Sequence, residues 1–372
     1  MMSVPSPAGN PSAAQPNSDK LSLHFFIFSC GQGDTILVRL PDDRWILIDC
    51  FLPKQFGIRD RFFKFLEEEK IKTFDFIFQT HPDYDHYHGM QAVIEHFLAK
   101  GESIGCYLDI GLDAKRVQHI LNNGLFGKEY QSLQDKLGEL FDSGSTRYFE
   151  LTSSSAPLTP KGYKGKIDFI PIGPDPADKR RLTEGNLIKY RKNPTTKLET
   201  NELSLVIVLS ARTAGKSFNV LLCADAGTEA IDHALEVWKH HAADYGIAAE
   251  FDAIKIPHNG SINSRTPNLC RMKRANLAMA VASADMRGPL PDREVLREFL
   301  QIGWSVMSTT SKRTKKRPSL PMTLANRGTD DEAEVFRNTI KISWDSENGM
   351  SAEPDGARIR AEDLDHYGTA VS

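Results

Sequence analysis

The first fifty residues contain three apolar runs that predict β-strands. These runs are LHFFIFSC (23–30), TILVRL (35–40) and RWILIDC (44–50), and the turn sequences GQGD and PDD separate them. Short polar turns between neighbouring strands favour antiparallel pairing of each strand with the next. The opening of the chain is therefore predicted to be an antiparallel meander.

The next part of the chain alternates between helical and strand patterns. DRFFKFLEEEKI (60–71) and GMQAVIEHFLAK (89–100) have the apolar spacing of amphipathic helices, and FDFIFQT (74–80) between them has that of a strand. Residues 111–142 predict helices separated by a glycine-containing break, and KIDFIPI (166–172) predicts another strand.

The second half of the chain is again rich in strands. LSLVIVLS (203–210) and SFNVLLCAD (217–225) predict a hairpin, followed by a helix in TEAIDHALEVWKHHA. The remaining strand candidates are FDAIKIPHNGS, LAMAVASA, WSVMST and NTIKISW, with a helix in DREVLREFL. Two β-rich halves flanked by helices predict four layers, with the sheets inside and the helices outside.

The pattern also predicts the domain boundaries. We expect one domain over residues 21–346, a disordered tail over 1–20 and a polar tail over 347–372. Within the domain we expect a helical insertion at about 111–145 and a basic loop at about 173–200. The basic residues of this loop are Lys179, Arg180, Arg181, Lys189, Arg191, Lys192 and Lys197.

Composition narrows the class of protein. The chain of 372 residues is 40% hydrophobic with a formal net charge of −3, which is typical of a globular protein and argues against a globally basic nucleic-acid coat. Its five cysteines are scattered without a C-x-x-C pair, which favours reduced core thiols. Because no signal-peptide pattern and no apolar run of about eighteen residues is present, we expect a cytoplasmic protein without membrane spans.

The most unusual stretch is THPDYDHYHG, which follows the strand candidate FDFIF. Three histidines and two aspartates occupy its ten positions. His81, Asp83, Asp85 and His86 can converge where the chain leaves a strand and enters a helix, and unpaired charge there is costly. A divalent cation removes that cost, because imidazole nitrogen and carboxylate oxygen are its ligands. His88 is predicted to face the surface or a substrate.

This stretch resembles the H-x-H-x-D-H-x-x-G signature of the metallo-β-lactamase superfamily, with Asp83 in place of the second histidine. The H-x-D-x-D-H form is similar to the hydrolase domain of the DNA-uptake competence protein ComEC and its stand-alone relatives. Further segments resemble motifs of that family in the expected order, namely FSCGQGDTILVRLPDDRWILIDC, NELSLVIVL, LLCADAG, KIPHNGSINS and VASADMRGPLPDREVLREFLQIGWSV.

The resemblance implies an α/β (α+β) fold, the αββα sandwich, with a metal site between the edges of the two sheets. It implies that one metal is held by His81 and Asp83, that a second is held by Asp85, His86 and His258, and that Asp225 bridges them. Asp49 would orient the site, and Ser261 would bind substrate. Asp85, Asp225 and Asp49 are thus the expected catalytic residues, with two divalent ions, Zn or Mn with Mg as an alternative, as cofactors.

The sequence departs from the family pattern at three places. No histidine lies between His119 and His233, so a third-motif histidine is missing and the first metal has few ligands. Asn259 stands where relatives often have a second histidine, and Leu290 stands where the competence-type domain often has one.

The function implied is a metal-dependent phosphodiesterase or nuclease in which a metal-activated hydroxide attacks DNA or RNA. Arg180, Arg181, Arg191 and Lys192 are the candidate phosphate contacts. One alternative is a small-molecule hydrolase acting on a phosphoester, lactone or cyclic nucleotide. Another is a binding or regulatory module whose metal site has decayed. Such a nuclease would work with a separate sensor or defence protein as its partner.

Overall fold

Two β-sheets form the centre of the molecule. The computed structural model describes residues 20–31, 33–54, 57–111, 125–193, 200–274, 278–283, 290–309 and 339–353. The strands are β1 Ser22–Ile27, β2 Thr35–Arg39, β3 Trp45–Cys50, β4 Phe74–Phe78, β5 Ile104–Asp109, β6 Arg147–Glu150, β7 Ile167–Gly173, β8 Val206–Thr213, β9 Lys216–Leu222, β10 Ala253–Lys255, β11 Met279–Ala282, β12 Ser305–Ser308, β13 Ile340–Asp345 and β14 Gly349–Glu353. One sheet has the order β14-β13-β1-β2-β3-β4-β5-β6 and the other the order β12-β11-β10-β9-β8-β7.

Helices cover the outer faces of both sheets. They are α1 Ile58–Glu68, α2 Tyr84–Tyr87, α3 Met90–Ala99, α4 Leu125–Asp142, α5 Pro176–Lys192, α6 Thr228–Tyr245, α7 Pro267–Arg271 and α8 Arg293–Ile302. Short 3-10 turns are formed by Asn201–Leu203, Pro257–Gly260 and Ile262–Ser264.

Three apolar clusters define the layers. The central cluster joins the inner faces of the two sheets, and in it the ring of Phe78 on β4 stacks on that of Phe169 on β7 with centroids 5.5 Å apart. A second cluster packs α6 and α8 on the six-stranded sheet, and a third packs α1, α3 and α4 on the eight-stranded sheet. The predicted αββα sandwich is therefore confirmed.

The strand pairing explains where a site can form. β3 pairs with β4 in parallel, so the residues that follow these two strands leave the sheet at the same edge. β9 and β10 are also parallel, and their following residues include Asp225 and His258. Carboxyl ends of parallel strands meet at one edge, which brings distant motifs together.

Several sequence predictions are confirmed. β1, β2 and β3 form the antiparallel meander, and β8 and β9 form the hairpin. The expected helical insertion contains α4, whereas residues 112–124 lie outside the described residues. All five cysteines are buried free thiols. In the described ranges, no helix combines the length and apolarity that a membrane crossing needs.

Two segments differ in secondary structure from the sequence prediction. The expected basic loop contains helix α5, which begins after Asp175, whose side chain accepts hydrogen bonds from the backbone N–H groups of Ala177 and Asp178. The aspartate cap and the proline in the first turn are helix-start signals, and the dense charge of the segment obscured them. The polar tail was expected from residue 347, but β14 pairs with β13 beyond that point.

Candidate metal centre

The segment THPDYDHYHG connects β4 to α3 and places two histidines in the interior. His81 follows the end of β4, and His86 lies on the short helix α2, for which Asp83 is the N-cap residue. Both imidazoles are fully buried. The centroids of their rings lie 4.1 Å apart. A strand end followed at once by a helical turn therefore points both rings at one place.

Asp225 completes a three-residue cluster with these histidines. One potential ligand atom from each of His81, His86 and Asp225 lies within 4.8 Å of the other two. The Nε2 atoms of both histidines and Oδ1 of Asp225 are buried and make no hydrogen bond of good geometry among the described residues, although Nε2 of His86 lies 3.4 Å from Oδ1 of Asp225. Leaving such atoms unpaired in the interior is costly, whereas a divalent cation would use all three as ligands. The residues present thus fit a metal.

Asp49 fixes the orientation of His86. Its Oδ2 lies 2.6 Å from Nδ1 of His86 and also accepts a hydrogen bond from the hydroxyl of Thr80, while its Oδ1 accepts one from the Thr80 backbone N–H. A carboxylate can only accept here, so Nδ1 carries the proton and Nε2 points toward the cluster. Thr80 was not predicted as a site residue, although it begins the motif.

Charge is concentrated around His86. Burial disfavours its imidazolium form, yet the neighbouring Asp225 and Asp49 raise the pKa of His86 well above its ordinary value. Burial would also raise the pKa of Asp225, but His86, with His81 and His258, holds that pKa below its ordinary value. The two carboxylates therefore require a proton or a cation between them.

His258 lies on the more open side of the cluster. Its Nε2 is 3.6 Å from Oδ2 of Asp225, and its side chain is 25% exposed. The backbone of His258 has a φ of 46° and donates its N–H to the carbonyl of Ala224. Asn201 Nδ2 lies 3.3 Å from His258 Nδ1. Asn201 begins the segment NELSLVIVL and was not predicted as a site residue.

Asp83 and Asp85 lie near the cluster but outside its closest group. Oδ2 of Asp83 is 3.9 Å from Nε2 of His81. Burial raises the pKa of Asp85, opposed by His86 and reinforced by Asp225. The group whose ligand atoms all lie within 4.8 Å of one another is His81, His86 and Asp225, so it draws on both of the ligand sets implied by the sequence.

A cleft of about 620 Å³ opens beside the cluster. Asp225, His258, Arg181, Asn201, Glu202 and Ser264 are among its lining residues. Carboxylates outnumber basic groups along its wall, since Asp178 and Glu229 also line it. Such a wall attracts cations more readily than anions until metal is bound.

The predicted substrate-binding residues are dispersed. Arg180 and Lys192 are exposed on α5, whereas Arg181 lines the cleft and pairs with Asp178 at 2.9 Å. The side chain of Arg191 lies outside the described residues. Ser261 is buried, and its hydroxyl accepts the N–H of Asn263, so it caps the following turn.

A second carboxylate group adjoins the cluster and was not predicted. Asp34, in the GQGD turn, has a ligand atom within 4.8 Å of those of Asp49 and His86. Lys255 Nζ lies 2.9 Å from Oδ1 of Asp34, so an ammonium ion already balances this carboxylate. The charge of Asp34 is therefore satisfied without a metal.

The fold and the cluster define a class, namely an αββα sandwich with buried histidine and aspartate side chains that could hold a metal at one edge. Residues 29–104, which include Asp49, His81 and His86, match the family described as the metallo-beta-lactamase superfamily. The matched residues make up less than half of the chain, and they include the segment that carries the two buried histidines. No curated protein sequence matches the chain.

Solved structures show weaker similarities. The metallo-beta-lactamase fold protein YhfI from Bacillus subtilis is 12% identical, with a TM-score of 0.43 over 77% of this chain and 96% of that chain. A diphosphatase from the PhnP family is 11% identical, with a TM-score of 0.40 over 75% and 91%. A long form RNase Z from yeast is 13% identical, with a TM-score of 0.36 over 81% and 39%.

Proposed function

We propose that this chain is a metal-dependent hydrolase in which His81, His86 and Asp225 hold a divalent cation. The observation that carries this proposal is the convergence of three buried ligand atoms that make no hydrogen bond of good geometry among the described residues. Buried polar atoms in native proteins are nearly always paired, so three unpaired atoms at one place indicate a ligand.

A bound divalent cation would supply Lewis acidity and would lower the pKa of water at the site. The residues of the chain would do the remaining work. Asp49 holds the proton on Nδ1 of His86 and so presents Nε2 to the cluster. His258 lines the cleft beside the cluster, with its Nε2 3.6 Å from Oδ2 of Asp225, so it could contribute a further ligand on the side that substrate approaches.

A second cation is part of the proposal. One ion would gain Asp83 as a ligand beside His81. The other would gain Asp85 and His258 beside His86, and Asp225 would be shared between the two ions. The excess of carboxylates around the cleft supports this assignment, because one divalent ion leaves negative charge unbalanced. Zn and Mn suit this mixture of imidazole and carboxylate, and Mg is the alternative for the carboxylate-rich half.

We propose a phosphodiester, and specifically DNA or RNA, as the substrate. The support is the resemblance to the competence-type hydrolase domain and the basic side chains of α5. Arg181 lines the cleft that also contains Asp225 and His258, and Arg180 and Lys192 are exposed on the same helix. A polynucleotide bound across the cleft would meet these cations with its phosphates.

A small-molecule hydrolase is the second candidate. The cleft volume of about 620 Å³ lies within the range of roughly 300–1,000 Å³ typical of small-ligand sites, which favours a compact phosphoester, lactone or cyclic nucleotide. A binding module without catalysis is the third candidate.

The five buried free thiols support a location in a reducing compartment such as the cytoplasm.

The test is metal analysis of the purified protein, followed by hydrolysis assays with Mn²⁺, Zn²⁺ and Mg²⁺ added separately. His81→Ala should lose bound metal, whereas His240→Ala, an exposed histidine on α6, should keep it. Hydrolysis of DNA or RNA supports the nuclease, and hydrolysis of small esters alone supports the second candidate. Failure of the wild type to bind any metal would overturn the proposal and favour a binding module.

A further inference from the structure

A buried ion pair connects the two halves of the chain that supply the candidate ligands. Asp34 precedes β2 in the eight-stranded sheet, and Lys255 ends β10 in the six-stranded sheet. Lys255 Nζ lies 2.9 Å from Oδ1 of Asp34, and both side chains are almost completely buried. The hydroxyl of Ser283, just after β11, donates to the same oxygen at 2.9 Å.

The Asp34 end of the pair is bonded to the segment that carries the two histidines. The backbone N–H of Asp34 donates to the carbonyl of Asp85 at 3.2 Å, and the carbonyl of Asp34 accepts the N–H of Phe51 at 3.1 Å. Asp85 precedes His86, and Phe51 lies two residues after Asp49. A shift of Asp34 would therefore move both His86 and the carboxylate that orients it.

The Lys255 end is bonded to the turn that carries His258. Lys255 Nζ donates to Oδ1 of Asn259 at 3.2 Å and to the carbonyl of Ile256 at 3.3 Å. His258 and Asn259 have φ angles of 46° and 53°, a region that is unfavourable for residues other than glycine. Such a backbone persists only where its surroundings hold it, and Lys255 is one of the groups that do so.

Stability alone does not account for charges at this position. The surroundings are poorly solvated, since burial raises the pKa of Cys30 and that of Cys223 to about 12. Desolvation of two charges commonly cancels their attraction, and an apolar pair of similar volume is often as stable. An ion pair does, however, fix two groups at a defined separation and orientation.

We propose that Asp34 and Lys255 are positioning residues that hold the segments bearing His86 and His258 at the separation a divalent cation requires. This inference rests on the metal-binding part of the proposed function. It assigns a role to the aspartate of the GQGD turn and to the lysine of the KIPHNGS segment, neither of which is among the ligands proposed above.

The test compares two double variants. Asp34→Asn with Lys255→Met removes both charges while nearly keeping the side-chain volumes. Asp168→Asn with Arg212→Met removes another largely buried ion pair, which lies at the opposite end of β8 from the site. The measurements are Zn²⁺ affinity by chelator competition, the absorption spectrum with Co²⁺, and thermal unfolding without metal.

We expect both variants to fold, with Zn²⁺ binding at least tenfold weaker and the Co²⁺ spectrum altered only when Asp34 and Lys255 are changed. Unchanged affinity and spectrum in that folded variant would overturn the inference while leaving the proposed function intact. A wild-type protein that binds no metal would instead overturn the proposed function.

Asn259→Gly provides the second variant if the double variant does not fold. Glycine adopts the positive φ of this position without strain, yet it removes the acceptor for Lys255. We expect Zn²⁺ affinity to fall severalfold while the ion pair stays in place. Wild-type affinity in Asn259→Gly would contradict the link between Lys255 and the His258 turn.

Discussion

Nδ1 of His86 lies 2.6 Å from Oδ2 of Asp49, and both side chains are buried at the edge where β3 and β4 end. This contact sets the tautomer of His86 and leaves Nε2 facing Asp225, 3.4 Å from its Oδ1. A carboxylate behind a ligating imidazole fixes the ring and raises its basicity, so its removal should be felt by a bound metal.

Asp49→Asn should therefore weaken metal binding by about 10–100-fold, the usual cost of losing such a partner. Calorimetric titration with Zn²⁺ measures the change, and circular dichroism verifies the fold. Asp43→Asn is the matched control, since Asp43 is also an aspartate at positive φ but is exposed. Equal metal affinity of Asp49→Asn and the wild type would show that His86 is not oriented in this way.

Asp225→Ala and Asp85→Ala, made separately, should each reduce hydrolysis by several orders of magnitude while the fold survives. The central core is built from strands such as β8 and not from the metal cluster. Little else at the site could replace a cation that lowers the pKa of water from 15.7 to roughly 7. Activity assays and circular dichroism check this, with the exposed Asp244→Ala on α6 as control. Near wild-type hydrolysis by folded Asp225→Ala would rule out Asp225 as a ligand shared by two metal ions.

Gly33→Ala should destabilise the protein by about 1–3 kcal/mol through overpacking. A Cβ atom at Gly33 would lie 2.1 Å from the carbonyl oxygen of Asp85 and 2.5 Å from Cδ1 of Phe51. Both neighbours belong to segments around the site, so metal affinity should fall as well. Urea unfolding and Zn²⁺ titration measure the two effects.

Gly138→Ala serves as the control for that substitution. Gly138 lies within α4, and a Cβ atom there would meet no atom within 4 Å among the described residues. Alanine should stabilise this helix by about 0.5–1 kcal/mol. If both substitutions changed stability by the same amount and sign, the close packing at Gly33 would be disproved.

The buried carboxyl of Asp109 should make stability depend on pH. Burial raises its pKa from 3.8 to about 6, partly opposed by hydrogen bonds from the Gly111 N–H and the Tyr148 hydroxyl. Between these values the folded protein keeps a proton that the unfolded chain releases, so the contribution of Asp109 to stability falls as pH rises from about 4 to about 6 and is level above. A shift of about two pKa units corresponds to about 3 kcal/mol.

Asp109→Asn should remove this dependence. The free energy of unfolding of the variant, relative to the wild type, should rise by about 2–3 kcal/mol from pH 4 to pH 7. Urea unfolding with a chelator present measures it free of any metal contribution. Asp142→Asn, an exposed position at the end of α4, should show no such trend. Parallel stability curves for Asp109→Asn and the wild type would contradict the prediction.

Replacing Arg180, Arg181, Arg191 and Lys192 together by alanine should raise KM for DNA or RNA without changing turnover of a small chromogenic diester. The logarithmic salt slope of binding to duplex DNA should fall by about 0.9 for each phosphate that the protein no longer neutralises. A control with equal charge removal changes the exposed residues Lys64, Lys70, Lys72 and Lys100. If hydrolysis of the nucleic acid and of the small diester fell equally, the four side chains would instead support folding or the metal centre.

The hydrophobic pattern alone was sufficient to predict most strands, because burial on one or both faces of a sheet leaves a local record in the residue order. The same holds for the residues His81, Asp83, Asp85 and His86, whose spacing at a strand-to-helix junction is local. Helix α5 was missed, although Asp175 and Pro176 mark its start, because the segment has little apolar periodicity of its own.

The tertiary structure decided which of the candidate residues meet. Asp34 and Lys255 are 221 residues apart in the sequence, and the local sequence around either residue does not predict their contact. Asp225 joins His81 and His86 only because the parallel strands of both sheets end at a shared edge. The local sequence determines which ligand-forming side chains are available. The distances between them depend on strand order and register, which are set by packing of the whole chain.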